Sequence, residues 1–291
     1  MIFFNDRKIY NLRYRSLLMR DVGVLGLKVK SVGVFESSIS MAKAFFILLF
    51  TAEAFISSNM KSNLFCSLFF WKRGTLIING LGRNKGKKYF RTFLFFLFNI
   101  NSNKTIIFQN YSDYRYFSSF SKRSYFWVPG SGGTKRDIGE PSSITIVSRE
   151  DKVEACSASI LQIANSLSLN EKIFIIGCSN NKVSSIFNHE SIIGIGYVDQ
   201  GEIFKLSSTF YQPSGYGEGI PHTLVDAVCS NMKILICKKD YISYGLYKLG
   251  FSFKSKCGEN GSLVYASDEA CKLSSEIVNK KYLNIHFNEG K

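Results

Sequence analysis

Between residues 144 and 237 the chain repeats one phrase, a short apolar run followed by a polar stretch of helical character. The runs are ITIVS (144–148), KIFIIG (172–177), IIGIGYV (192–198), TFYQ (209–212) and KILIC (233–237). Continuous apolar runs, as opposed to strictly alternating ones, suit strands covered on both faces, as in a parallel sheet built from βα units. The intervals predict helices near 151–168, 181–187 and 201–207, and from Pro221 to about Ser230. Residues 142–280 are therefore expected to form one doubly wound α/β domain.

The first half is less regular. A strand is expected at 2–4, a basic helix around 12–22, apolar segments at 43–57 and 64–71, a strand at 77–79, a helix near 87–99 and a strand at 106–110. A length of 291 residues suits two domains. Glycines 130, 132, 133 and 139 with Pro129 and Pro141 mark the crossing between them. The expected division is a first domain at 1–125, a hinge at 126–141, a second domain at 142–280 and a tail at 281–291.

Charge is unevenly placed. Residues 1–140 hold 22 Lys/Arg against 7 Asp/Glu, and residues 141–291 hold 15 of each, so the net +15 belongs to the first half. That half also holds 19 of the 26 phenylalanines. Arg83, Lys85, Lys87, Lys88 and Arg91 run directly into 93–98, FLFFLF. Cations beside exposed aromatics draw a protein to an anionic membrane surface, which is the expected partner here. A solvated flank on a buried helix is the plainer alternative. Nucleic acid is not expected, because no recognition motif accompanies the charge and charge alone binds non-specifically.

Seven cysteines, at 66, 156, 178, 229, 237, 257 and 271, form no C-x-x-C and read as reduced cytosolic thiols. His189, His222 and His286 are scattered without acidic or cysteine partners at ligand spacing, so no metal site is expected. Asn5-Asp6-Arg7-Lys8 cuts short any signal peptide. The longest apolar run, near 44–56, is broken by Thr51 and Glu53 and falls short of the ~20 residues of a spanning helix.

The chemistry concentrates in YQPSGYGEGIPHTLVDA (211–227). A strand end breaks into a Pro/Ser/Gly loop, Glu218 follows, and a helix begins at Pro221. Free amides at a helix start favour an anion. Asp226 lies eight residues beyond Glu218, so two carboxylates flank an anion-friendly helix start. A sugar nucleotide, which presents an anion and several hydroxyls together, suits such a site. Arg149 and Lys152 follow the carboxyl end of strand 144–148, where α/β sheets bind ligands.

This run resembles the PS-x-x-EG-x-P-x-x-x-x-EA signature of retaining glycosyltransferases of family 4 (glycosyl transferases group 1), with Asp226 in place of the second glutamate. GLGR (80–83), IIFQNYSDYRYF (106–117), VPGSG (128–132) and IVSREDK (146–152) resemble further family elements in the family's order. Together the five pieces cover roughly 75–240. The resemblance implies a GT-B fold, two Rossmann-like doubly wound domains facing a cleft, here with a shortened N-terminal domain. It implies sugar transfer from a nucleotide-sugar donor, with no metal or other cofactor, to a lipid-linked oligosaccharide at the cytoplasmic membrane face, as in O-antigen or capsule assembly.

The resemblance also implies roles. Glu218 would hydrogen-bond the donor sugar, Arg149 and Lys152 would clamp the diphosphate, and Asp226 would hold the ribose. Ser214, Gly215, Gly219 and Ile220 would line the donor. A non-catalytic GT-B partner protein and a GT-B sugar-nucleotide epimerase are the alternative expectations.

Overall fold

A computed structural model describes residues 1–84, 86–139, 143–168, 170–214, 217–257 and 260–288. The chain forms two compact units. Unit 1 comprises Met1–Gly132, Tyr216–Ile220 and Ser275–Lys291, and unit 2 comprises Gly133–Gly215 and Pro221–Ser274. Segment 126–139 is thus shared, its first seven residues in unit 1 and the rest in unit 2. Glu140 and Pro141 of the expected hinge lie outside the described residues, as do Gly215, expected to line the donor, and Lys85 of the basic cluster.

Unit 1 runs β1 (Ile2–Asn5), α1 (Lys8–Tyr14), α2 (Ser16–Val24), β2 (Lys30–Gly33), α3 (Ser38–Phe50), β3 (Phe55–Ser58), α4 (Met60–Ser67), β4 (Gly74–Ile78), α5 (Lys88–Ile100), β5 (Lys104–Phe108), α6 (Tyr111–Phe120) and β6 (Phe126–Trp127). The sheet order is β2-β1-β3-β4-β5-β6, parallel throughout. Successive strand residues point to opposite faces. Ile2, Phe4, Phe55, Leu76, Ile78, Ile106 and Phe108 meet Ala44 and Leu48 of α3, Cys66 of α4, Leu94 and Phe98 of α5 and Phe117 of α6. Phe3, Ile56, Ile77 and Ile107 meet Leu18 and Val22 of α2 on the other face.

That second face is completed from the far end of the sequence. The last helix (Ser275–Asn288) buries Val278 and Tyr282 in the same cluster, so residues assigned by sequence to the second domain and tail fold with the first sheet. The expected helix at 12–22 is a pair, α1 and α2, which meet at Arg15 in a non-helical conformation (φ −131°, ψ 4°). At this junction the Arg15 side chain turns inward, donating from Nε to Ser58 Oγ at 3.1 Å.

Unit 2 runs β7 (Ser143–Val147), α7 (Glu150–Ala155), α8 (Ser157–Ala164), β8 (Lys172–Ile176), α9 (Asn180–Ile186), β9 (Ile192–Gly196), β10 (Thr209–Gln212), α10 (His222–Cys229), β11 (Lys233–Cys237), α11 (Lys238–Ser243), β12 (Ser252–Cys257), β13 (Asn260–Val264) and α12 (Ser267–Cys271); the returning helix of unit 1 is α13. Five strands are parallel in the order β9-β8-β7-β10-β11, and the antiparallel hairpin β12–β13 extends the β11 edge. The strand order therefore reverses between β7 and β10. Residues 201–206 are successive turns in place of the expected helix, with Lys205 N donating to Glu202 O at 3.2 Å.

Candidate functional site

In unit 2 the point of reversal is the place to look, because open α/β sheets bind ligands outside the carboxyl ends of strands where the order switches. β7 ends into Ser148 and Arg149, and β10, its parallel neighbour, ends into Pro213 and Ser214. Arg149 occupies the N-cap of α7, is exposed, and pairs with Asp151 (Nε to Oδ1, 3.5 Å). Lys152 sits one residue further along α7. Glu150 and Asp151 share this helix start, and Glu154 near the end of α7 pairs with Lys182 at 2.8 Å. Burial, and after it these three acids, push the Cys178 thiol up to about 11. An anion arriving at this strand end would compete with Asp151 for Arg149.

After β10 the chain reaches α10, which begins one residue later than the sequence places it. Pro221 is the N-cap (φ −61°, ψ 139°) and offers no side-chain cap to the first turn. Nor does that turn contain an acid, so its amides can serve a bound anion.

Asp226 lies in the next turn and is buried. Its Oδ1 accepts the Thr134 amide at 2.8 Å, and its Oδ2 lies 3.6 Å from an Arg136 guanidinium nitrogen and 3.8 Å from His222 Nε2. Ser230 Oγ accepts the Arg136 amide at 2.8 Å. These bonds hold residues 133–136 along α10. The carboxylate assigned by resemblance to the ribose thus already carries the segment that leads into β7.

Residues 217–220 fold with unit 1, and here separate pieces of the sequence meet. Gly80 forms an isolated antiparallel bridge with Glu218. Gly82 N donates to Gly217 O at 3.2 Å, and Asn110 Nδ2 to Glu218 O at 2.6 Å. Leu81 N donates to Asp113 Oδ2 at 3.1 Å, and Gln109 Nε2 to Gly130 O at 2.8 Å. GLGR, FQN, GSG and EG are therefore one hydrogen-bonded assembly. Two glycines are needed for the approach. At Gly80 (φ +139°) a Cβ would lie 2.6 Å from Gly217 O, and at Gly219 it would lie 2.3 Å from Asn79 O. The Glu218 backbone is fixed by these contacts, and its side chain is half-buried.

Sequence reasoning missed a feature of the same edge. Asparagine ends β1 at position 5, and Asn59, Asn79 and Asn110 follow β3, β4 and β5 within two residues. Asn79 Nδ2 donates to Asn59 Oδ1 at 2.6 Å, Asn59 Nδ2 to Asn5 Oδ1 at 2.5 Å, and Asn5 Nδ2 to Asn11 Oδ1 at 3.0 Å. Asn59 has φ +72°, a strained value for a side-chain-bearing residue. The repeated apolar-run-then-Asn pattern was the available signal. Among the described residues no three His, Cys, Asp or Glu side chains group as metal ligands.

No protein-family model matches the chain, and no curated protein matches it in sequence. Solved structures do match in fold. Anabaena Alr3699/HepE in complex with UDP aligns at TM-score 0.61 and 11% identity, covering 99% of this chain and 93% of that one. WaaG, a glycosyltransferase involved in lipopolysaccharide biosynthesis, aligns at 0.58 and 8%, covering 100% and 94%. A putative UDP-N-acetylglucosamine 2-epimerase from Listeria monocytogenes aligns at 0.55 and 10%, covering 100% and 88%. TarM aligns at 0.58 and 10% over 86% of this chain, which spans 58% of the TarM chain. The fold is GT-B, with two parallel-sheet domains of Rossmann type.

Proposed function

We propose that the protein is a retaining glycosyltransferase of the family 4 type, moving a sugar from a nucleoside diphosphate to a lipid-linked oligosaccharide in surface-polysaccharide assembly such as that of O-antigen or capsule. The observation that carries the reading is the reversal of strand order between β7 and β10, with Arg149 and Ser214 at the two carboxyl ends and the uncapped start of α10 following β10. HepE, similar in fold, was solved with UDP, which supports a nucleotide at such a site. WaaG's part in lipopolysaccharide biosynthesis supports the class of product.

In this reading the bond from the sugar's anomeric carbon to the diphosphate breaks, and a bond to an acceptor hydroxyl forms on the same face. The hydroxyl proton passes to the departing diphosphate. Arg149, Lys152 and the first amides of α10 oppose the charge that develops on the diphosphate, ordinarily the largest catalytic contribution. No metal is needed for that role. Glu218 holds the donor sugar, with Ser214, Gly215, Gly219 and Ile220 lining the donor. Asp226 acts on the ribose only by releasing Thr134; otherwise it holds residues 133–136 in place. The place of work is the inner face of the cytoplasmic membrane.

The test is a panel of nucleotide sugars with a bacterial lipid-linked acceptor, read by release of free nucleoside diphosphate and by labelled product. Release that depends on acceptor supports transfer. The alignment with the Listeria epimerase over the full chain favours a second reading, epimerisation of a sugar nucleotide. That activity would yield a new sugar or sugar nucleotide with no acceptor present.

A further inference from the structure

A helix with apolar residues on every side is ordinarily buried. Helix α3 is not. It carries one charge, Lys43, and buries only Ala44 and Leu48, while Ile39, Phe46 and Phe50 are 81%, 56% and 75% exposed. Because α3, α4, α5 and α6 each return from a strand's carboxyl end to the start of the next parallel strand, their last turns gather along the amino edge of the sheet. There Phe70, Trp71, Phe96, Ile100 and Phe120 are 48–66% exposed. Phe46 stacks on Phe50 at 6.0 Å, and Phe69 bridges Phe45 and Trp71 at 5.3 and 5.6 Å.

Cations pin this rim. Lys72 Nζ donates to Thr51 O at the end of α3, Lys104 Nζ to Phe69 O just beyond α4, and Arg123 to Phe98 O in the last turn of α5. Each puts positive charge on the negative end of a helix. Arg73 and Lys122 stand exposed on the same edge. The four helices hold one acid, Asp113, at the opposite end of α6. A cavity of about 720 Å³ opens on this edge, lined by Arg73, Lys104 and Arg123 together with Glu53, which is already paired with Lys30 and the Met1 amine. Burial, opposed by Cys66 and aided by Arg123 beside it, brings the Lys104 ammonium down to about 8.

We propose that unit 1 docks on an anionic phospholipid bilayer through this amino-edge rim, its aromatic side chains in the headgroup–acyl boundary and Arg73 and Lys122 on lipid phosphates. Positive charge beside exposed aromatics complements an anionic interface, whereas a second copy would set cation against cation. At 13 residues α3 is too short to span a bilayer and long enough to lie on one. The sequence alone drew attention to 83–98, but Leu94 and Phe98 face the sheet, so only the outer side of α5 takes part. The proposal rests on the transfer reading only for the membrane location of the acceptor; its test uses no donor, so its failure leaves that reading standing.

Replacing Trp127 by Phe leaves Trp71 as the sole tryptophan. Vesicles containing phosphatidylglycerol should shift Trp71 emission to the blue, and brominated acyl chains should quench it. Phosphatidylcholine vesicles should bind about tenfold more weakly, as should charged vesicles at high salt. The double change Phe50→Ser and Phe120→Ser should lower partitioning of the otherwise native chain about tenfold, read by co-sedimentation, with an unchanged thermal melt. Trp71 emission indifferent to vesicles, together with no co-sedimentation of the native chain, overturns the proposal. So does a blue shift that grows with protein concentration without lipid, which assigns the face to a second copy.

Discussion

The two units solve the same folding problem and differ in what they leave outside. Each wraps helices around a parallel sheet whose strands are buried on both faces. In unit 2 the large apolar residues left exposed among the described residues are few: Ile138, Ile195, Tyr197, Ile242 and Val264. In unit 1 many of them, Phe50, Phe70, Trp71, Ile100 and Phe120 among them, gather along one edge, in the half of the chain that carries the excess of positive charge. Inward patterning specifies the architecture in both, and the outward face is free to be recruited for a partner. A second contrast concerns the residues proposed for donor binding, taken unit by unit. Those of unit 2 are charged side chains at strand ends, whereas in unit 1 Glu218 stands on a loop whose backbone is fixed by hydrogen bonds.

The largest expected effect separates these two contributions. Arg149→Ala and Glu218→Ala should each reduce sugar transfer about 10²- to 10³-fold with the thermal melt unchanged, checked by initial rates and calorimetry. If only the unit 2 variant fails, the residue 217–220 loop is scaffolding and the contrast weakens.

Next comes the pH response of unit 1. His286 is buried on α13 with Nδ1 2.7 Å from Thr75 Oγ1, and burial, with the nearby terminal amine, brings it down to about 4. In the unfolded chain it takes a proton near 6.5; in the folded chain it waits until about 4. Its contribution is therefore complete above pH 6.5 and is lost as the pH falls to 4, about 3 kcal/mol in all. His286→Gln should flatten that part of the stability–pH curve measured in denaturant.

A smaller effect belongs to unit 2. Asp226→Ala removes the acceptor of the Thr134 amide and the carboxylate beside Arg136 and His222, and should cost about 2–3 kcal/mol in denaturant unfolding, the lower range because Arg136 is partly exposed. Asp226→Glu restores the acid of the resembled motif, yet the 2.8 Å contact with Thr134 leaves no room for another methylene, so it too should destabilise, by about 1–3 kcal/mol. The smallest effect is expected of Asn110→Ala. It removes the N-cap of α6, worth about 1 kcal/mol, and frees Glu218 O. Transfer should fall further than the loss in stability accounts for, which compared rates and melts would reveal.

All five parallel strands of unit 2 were legible, because a continuous apolar run between glycines or polar turns admits little else. The hairpin β12–β13 was not, since Ser252, Lys254 and Ser255 give its first strand a polar surface. Periodicity cannot show that Val278 and Tyr282 belong to a sheet that begins at Ile2, because it reports only neighbours along the chain. The same limit applies to the site. Strand ends and a helix start placed Arg149 and Pro221 to within a residue, but the bonds from Asp226 to Thr134 and from Asn110 to Glu218 join positions 92 and 108 apart. The resemblance had gathered GLGR, FQN, GSG and EG as separate words, and their hydrogen bonds give a physical reason for the words to occur together.

A crystal structure of the protein with UDP tests the central claim most directly. The account predicts the diphosphate against the first amides of α10, between the carboxyl ends of β7 and β10, with Arg149 drawn from Asp151 onto a phosphate oxygen. UDP bound elsewhere, with Arg149 still on Asp151 and the start of α10 empty, would contradict it.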